Sequence, residues 1–134
     1  MDNTLLEKLL YENESAALDF KQEQYLFEKA SDEDKSELLK DILAFANSWR
    51  RTEAYILIGV QEIKGGKSLV KGITKHYDDA TLQQFVNSKT NRPVTFSYEV
   101  VSVGKEQVGV IRIPIQERPL FLERNFGKLT KNTV

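Results

Sequence analysis

The chain has 134 residues, 40% of them apolar, which suits one domain able to bury a real core. It contains no cysteine, so disulfides and thiolate metal sites are excluded and a reducing, cytoplasmic setting is the expectation. The net charge of −1 hides an asymmetry: residues 1–48 carry twelve acids against five bases, and residues 49–134 carry eight against fourteen.

An acidic first third and a basic remainder suit a site holding metal on one side and phosphates on the other. No charged-then-apolar leader opens the chain, and no apolar run approaches membrane-spanning length, so no membrane partner is expected.

Residues 4–11 carry Leu5, Leu6, Leu9 and Leu10 at helical spacing and predict a short amphipathic helix. Residues 17–22 then alternate, with Leu18 and Phe20 on one face and Ala17, Asp19 and Lys21 on the other. That is a half-buried strand presenting an acid and a base together. Ser31, with Asp34 three residues on, predicts a helix start, and Leu38, Ile42, Phe45 and Trp49 form its apolar stripe as far as about Ser48. Trp49 is therefore expected in the core or an interface rather than as a base-stacking platform.

Residues 54–60 are a continuous apolar run and predict a central strand covered on both sides. Residues 64–67 are turn chemistry, and residues 69–73 are expected to return as a partner strand. Asp78 or Asp79 caps a helix with Leu82, Phe85 and Val86 inward, ending before Arg92-Pro93. Val94, Phe96, Tyr98 and Val100 alternate, Gly104-Lys105 turns, and residues 108–113 return, which predicts a β-hairpin. Residues 118–122 add an edge segment, and residues 127–134 lead toward another strand. The chain stops there, which suggests a domain cut from a longer protein. The sum is an α+β fold: one domain over 1–134, with a mixed sheet of about five or six strands and two or three packed helices.

Arg50, Arg51, Lys64, Lys67, Lys71 and Lys75 sit on two loops flanking the central strand, where they are expected to line one rim and contact phosphates. Lys89, Arg92 and Arg118 extend that track. Gly66-Lys67-Ser68 is similar to the end of a phosphate-binding loop, but Gln61 stands where the full pattern needs glycine and a strand follows instead of a helix. His76 is the only histidine, so it belongs to no His-based metal set. Asn47 is expected to satisfy backbone at the helix end, with a role orienting a site carboxylate as the alternative.

Three stretches form one pattern: Glu14-Ser15-Ala16-Ala17-Leu18-Asp19-Phe20-Lys21, then Ala44-Phe45-Ala46-Asn47-Ser48, then Ile58-Gly59-Val60-Gln61-Glu62. In this order they resemble the Schlafen AlbA-type domain, found in bacterial regulators and in vertebrate Schlafens, over most of the chain from about Glu14. The resemblance implies a nucleic-acid-binding domain, with RNA favoured over DNA. It also implies a divalent-metal-dependent endoribonuclease acting on structured RNA such as tRNA. By motif position the catalytic and metal-holding acids fall on Glu14, Asp19 and Glu62, Lys21 contacts the phosphate, and Mg²⁺ or Mn²⁺ is the expected ion. The side-chain lengths at 19 and 62 are exchanged relative to the family. The family's glycine-containing turn is replaced by the longer residues 47–53. The paired lobes of vertebrate Schlafens imply a homodimer. The alternative is a non-catalytic DNA- or nucleotide (ATP)-binding regulatory module of a larger transcriptional or defence protein.

Overall fold

A computed structural model describes all residues, 1–134. The first helix, α1 (Asn3–Leu10), starts where the Asp2 side chain accepts the Leu5 N–H at 2.8 Å. The edge strand β1 (Leu18–Lys21) follows. Helix α2 (Asp32–Asn47) opens on Ser31, whose hydroxyl accepts the Asp34 N–H at 3.1 Å, with three acids set against the positive end of the helix dipole. Then come β2 (Ala54–Ile58), β3 (Val60–Gln61), β4 (Leu69–Val70) and helix α3 (Asp79–Asn87), which is capped by Asp78. A hairpin of β5 (Ser97–Val103) and β6 (Glu106–Ile113) turns on Gly104-Lys105.

The six strands form two sheets. The larger is mixed, in the order β1-β2-β6-β5, with β1 parallel to β2 and the other neighbours antiparallel; β3 and β4 make a two-stranded antiparallel ribbon. Helices α2 and α3 cover one face of the larger sheet around Leu38, Ile42, Leu82, Ile56, Phe96 and Ile111. Helix α1 covers the other around Leu6, Leu10, Phe20, Leu57 and Val110. β2 is buried on both sides, which explains why it reads as an unbroken apolar run. The fold is α+β, as expected from the pattern. No helix is long and apolar enough to cross a membrane.

Five expectations change. The apolar run of residues 54–60 is two strands, because Gly59 turns the chain at φ +99° out of the large sheet and into the ribbon. Its N–H donates to the Lys21 carbonyl at 2.7 Å, and its own carbonyl accepts from the Lys71 and Gly72 N–H groups at 2.8 and 2.9 Å. The return strand is accordingly short, Leu69–Val70 alone. Residues 127–134 make turns, with a bridge between Phe126 and Leu129, rather than a strand.

Trp49 leaves the stripe entirely: α2 ends at Asn47, the Ser48 backbone is extended, and the indole is 86% exposed. Val100 is likewise exposed, because the helices on its face stop at Tyr98 and burial passes to Val101 on the other face.

Candidate functional site

β1 is the outer strand of the large sheet. The Ala17 and Lys21 carbonyls face β2, accepting from Tyr55 N–H at 2.9 Å and Gly59 N–H at 2.7 Å. The N–H groups of Leu18 and Phe20 therefore point outward, where no strand waits. Leu18 N–H turns to the Ser15 carbonyl at 3.5 Å, and Phe20 N–H donates to Glu14 Oε2 at 3.0 Å. Glu14 thus seals the open edge. Glu62, just past β3, accepts the Glu14 N–H on its Oε2 at 2.8 Å. Two backbone-to-carboxylate bonds fix two acids that lie 48 positions apart.

Asp19 and Lys21 alternate to the α2 side of the same strand. Lys21 Nζ lies 3.2 Å from Asp19 Oδ2 and 3.3 Å from Asp41 Oδ2 on α2. The Tyr25 hydroxyl donates to that same Asp41 oxygen at 2.5 Å, and Lys21 sits 5.9 Å from the Tyr25 ring centre. Across this edge Glu14 interacts with the Asp19 carboxyl. That contact is the largest influence raising the Glu14 pKa, followed by burial; the Phe20 N–H opposes them, and the charges of Asp19 and Glu62 add to the rise. Burial works against the charge of Lys21, but Asp41 and Asp19 outweigh it and hold its pKa above the ordinary lysine value. Burial, then Asp41, pushes the Tyr25 phenol far above its usual range.

The three sequence-selected acids and Lys21 therefore meet at one edge. No three His, Asp or Glu side chains are arranged to hold an ion as they stand. Glu14 and Asp19 are the pair able to take one. Two carboxylates whose crowding raises a pKa are a donor set that a hydrated divalent cation relieves, and Mg²⁺ needs only one or two carboxylates among its waters.

Sequence reasoning missed Asp41 and Tyr25, which complete the polar cluster around Lys21. The signal for Asp41 was available: it sits three residues after Leu38 and four before Phe45, a carboxylate on an otherwise apolar stripe.

The cations do not form the single rim expected of them. Arg50 and Arg51 precede β2, whereas Lys64, Lys67, Lys71 and Lys75 follow its far end, about 13 Å further along at strand rise. No hydrogen bond or ion pair joins the two groups. Arg50 is committed to backbone, donating to the Phe45 carbonyl at 2.8 Å, Thr52 at 2.8 Å and Ile113 at 3.1 Å. Its guanidinium closes the carbonyl end of α2 where the sequence suggested a phosphate grip. Lys67 pairs with Glu7, and Lys75 pairs with Glu28 at 2.5 Å. Lys71 and Lys75 line a groove of about 440 Å³ beside Gln22 and Gln24, the residues that follow β1. Arg51 and Lys64 are exposed and make no ion pair.

Further along, Lys89 stands 4.7 Å over the Phe126 ring, and Arg92 pairs with Glu117 at 3.1 Å. Asn47 satisfies backbone, as expected: its amide donates to the Leu43 and Leu120 carbonyls at 2.9 and 2.8 Å and accepts the Leu120 N–H at 2.7 Å.

A mixed sheet with helices on both faces and an acid-capped edge strand defines the class: a small α+β domain whose polar site lies on its first strand. The Schlafen, AlbA_2 family model matches residues 14–131, and the chain belongs to that family. Two solved structures are similar. One is the N-terminal domain of a putative ATP-dependent DNA helicase RecG-related protein from Nitrosomonas europaea, at 22% identity and a TM-score of 0.57, covering 98% of this chain and 86% of that one. The other is a Corynebacterium diphtheriae protein at 17% identity and a TM-score of 0.51, covering 80% of this chain and 19% of that one. No curated protein matches.

Proposed function

We propose that this chain is a nucleic-acid-binding module whose edge-strand site, Glu14, Asp19, Glu62 and Lys21, acts on a phosphodiester of structured RNA such as tRNA with Mg²⁺ or Mn²⁺. The observation that carries the reading is the convergence of these four residues, remote in sequence, on one sheet edge. Membership of a Schlafen family supports it, as does likeness to the N-terminal domain of a protein described as helicase-related.

Glu14 and Asp19 are the residues that would hold the cation, and Glu62 fixes Glu14 through its backbone N–H. A bound divalent ion supplies a water of lowered pKa and a Lewis acid for a phosphoryl oxygen. Lys21 supplies positive charge to the phosphate as its oxygens gain charge. Its partners are already in place: an incoming phosphate competes with Asp19 for Nζ while Asp41 keeps the ammonium in position. The Tyr25 hydroxyl on Asp41 holds that carboxylate in turn. Lys71, exposed and without an ion-pair partner in the groove beyond the end of β1, is a further contact for the flanking backbone.

The test is purified protein with end-labelled tRNA and Mn²⁺, beside Glu14→Gln and Asp19→Asn. Cleavage by the native chain, lost in both variants while gel-shift affinity survives, is the expected result. Intact RNA at micromolar protein with binding preserved would refute the catalytic part.

A second reading has its own support. Glu14 and Glu62 are occupied by backbone N–H groups, and Lys21 is neutralised by two aspartates, which is how a purely structural edge would look. In that case the domain binds DNA or a nucleotide for a larger protein without cutting.

A further inference from the structure

We propose that Trp49, backed by Arg118, is a stacking platform for one unpaired base of a single-stranded nucleic-acid segment. The proposal rests on the nucleic-acid reading above but uses none of the acidic site.

Trp49 directly follows the C-cap of α2 and keeps 86% of its surface exposed, the most of any large apolar residue in the chain. One face of its ring is occupied: the Arg118 guanidinium carbon lies 3.6 Å from the ring centre. Arg118 is itself anchored, donating to the Ser48 carbonyl at 3.0 Å and the Asn47 carbonyl at 3.4 Å. Asn47 clamps Leu120, two residues beyond Arg118, so the two segments that carry the pair are tied together. The indole is held from one side and open on the other. Little ordering cost remains for a planar ligand to meet.

The charge around the groove favours a base on a phosphate chain over an apolar protein anchor. The groove, about 460 Å³, is lined by Asn47, Trp49, Arg118, Pro119 and Val134, a mostly apolar surface edged by one amide and one guanidinium. The charge nearby is positive. Arg50 Nε donates to Ser48 Oγ at 3.0 Å and Arg118 to the Ser48 carbonyl at 3.0 Å, so two guanidinium groups crowd around one residue, and burial and then Arg118 lower the Arg50 pKa. Arg51 follows, exposed and without an ion-pair partner, and the one acid in this loop, Glu53, is held by Arg112 at 2.6 Å. A phosphate beside the stacked base relieves that crowding. Every base has a π face, so the site selects unpaired over paired nucleic acid rather than one sequence over another.

Trp49 is the chain's only tryptophan, so its emission reports the site directly. The experiment titrates the whole chain with a labelled single-stranded oligonucleotide, a blunt duplex and an abasic oligonucleotide of equal length. Label anisotropy reads binding and tryptophan emission reads stacking. The single strand should quench emission in step with its anisotropy, and the abasic strand should bind without quenching. Trp49→Ala should weaken the single strand roughly 5- to 100-fold and leave the abasic strand unchanged, whereas Trp49→Phe keeps most of the affinity. Single-strand binding with unaltered emission and an unaffected Trp49→Ala variant overturns the platform while leaving the nucleic-acid reading standing. Binding of no oligonucleotide overturns both. Loss of self-association in Trp49→Ala at unchanged oligonucleotide affinity makes the indole a protein contact and also overturns the proposal.

Discussion

Three glycines on one stretch of chain allow backbone strain and crowding to be separated. Gly59 has φ +99°, and a Cβ added there would meet the backbone of Gly72 at 3.2 Å and the Ile73 nitrogen at 3.3 Å. Gly65 has φ +78° with open space around it; Gly66 has neither a positive φ nor a close neighbour, its nearest contact being Ile63 Cγ2 at 3.8 Å. Alanine at Gly66 should stabilise the chain by about 0.4–1 kcal/mol through the unfolded state alone. At Gly65 the left-handed backbone costs about 1–2 kcal/mol, leaving a net loss of roughly 0.5–1 after that same gain.

At Gly59 the strain of about 1–3 kcal/mol is joined by backbone crowding of about 1–3, for a net loss of roughly 2–4. Neither neighbour is a flexible side-chain end, so there is little to yield. Urea unfolding followed by circular dichroism, with m-values unchanged across the series, measures all three. Equal losses at Gly59 and Gly65 would show that the approach to Gly72 contributes nothing. A destabilised Gly66→Ala would refute the reasoning at its base. Gly59 is also where the chain turns toward Glu62, so its alanine variant should loosen the Glu62–Glu14 bond as well as lower stability.

The Glu14 pKa is raised in the folded state, so the stability it contributes is full at acid pH and is lost as pH rises through the folded value. Glu14→Gln should therefore gain on the native chain between acid and neutral pH in melts across that range, and Mn²⁺ should narrow the gap by stabilising the native chain more. A gap independent of pH would contradict the crowding of Glu14 against Asp19. Lys21→Met leaves Asp19 and Asp41 facing each other without their cation; its melting temperature should fall further at pH 7 than at pH 4, and equal losses at both would count against the cluster. Asn47→Ala strips three bonds and leaves the buried Leu120 peptide groups unpaired, so about 2–4 kcal/mol should be lost in denaturant unfolding. A loss under about 0.5 kcal/mol would mean that the clamp does not hold the segment after β6.

The helices were legible because periodicity and caps are local. Ser31 and Asp78 do what their sequence positions announced, and β1 shows the alternation that puts Asp19 and Lys21 on one face. The split of the run at residues 54–60 was harder to read, since an apolar strand and an apolar strand-plus-turn have the same composition. Only the hydrogen bonds of Gly59 to Lys21, Lys71 and Gly72 show where the chain changes sheet. Arg50 carried no sign that its donors would be spent on the carbonyls of Phe45, Thr52 and Ile113, because charge in a loop reads as solvated until the loop's closure is known.

What the residues by themselves determined was the set of parts: the α+β class, the acids at 14, 19 and 62, and the lysine beside them. The class and the pairing of Asp19 with Lys21 on one strand face follow from spacing and side-chain type, and the choice of Glu14, Asp19 and Glu62 from the resemblance of the three motifs. The folded chain alone decided how the parts are used, because an edge strand needs its outward N–H groups satisfied. That need, met by Glu14 for Phe20 and by Glu62 for Glu14, is what draws the distant carboxylates together. The same folding put Asp41 and Tyr25 around Lys21 and turned Trp49 out to solvent, contacts across many residues that no local pattern encodes.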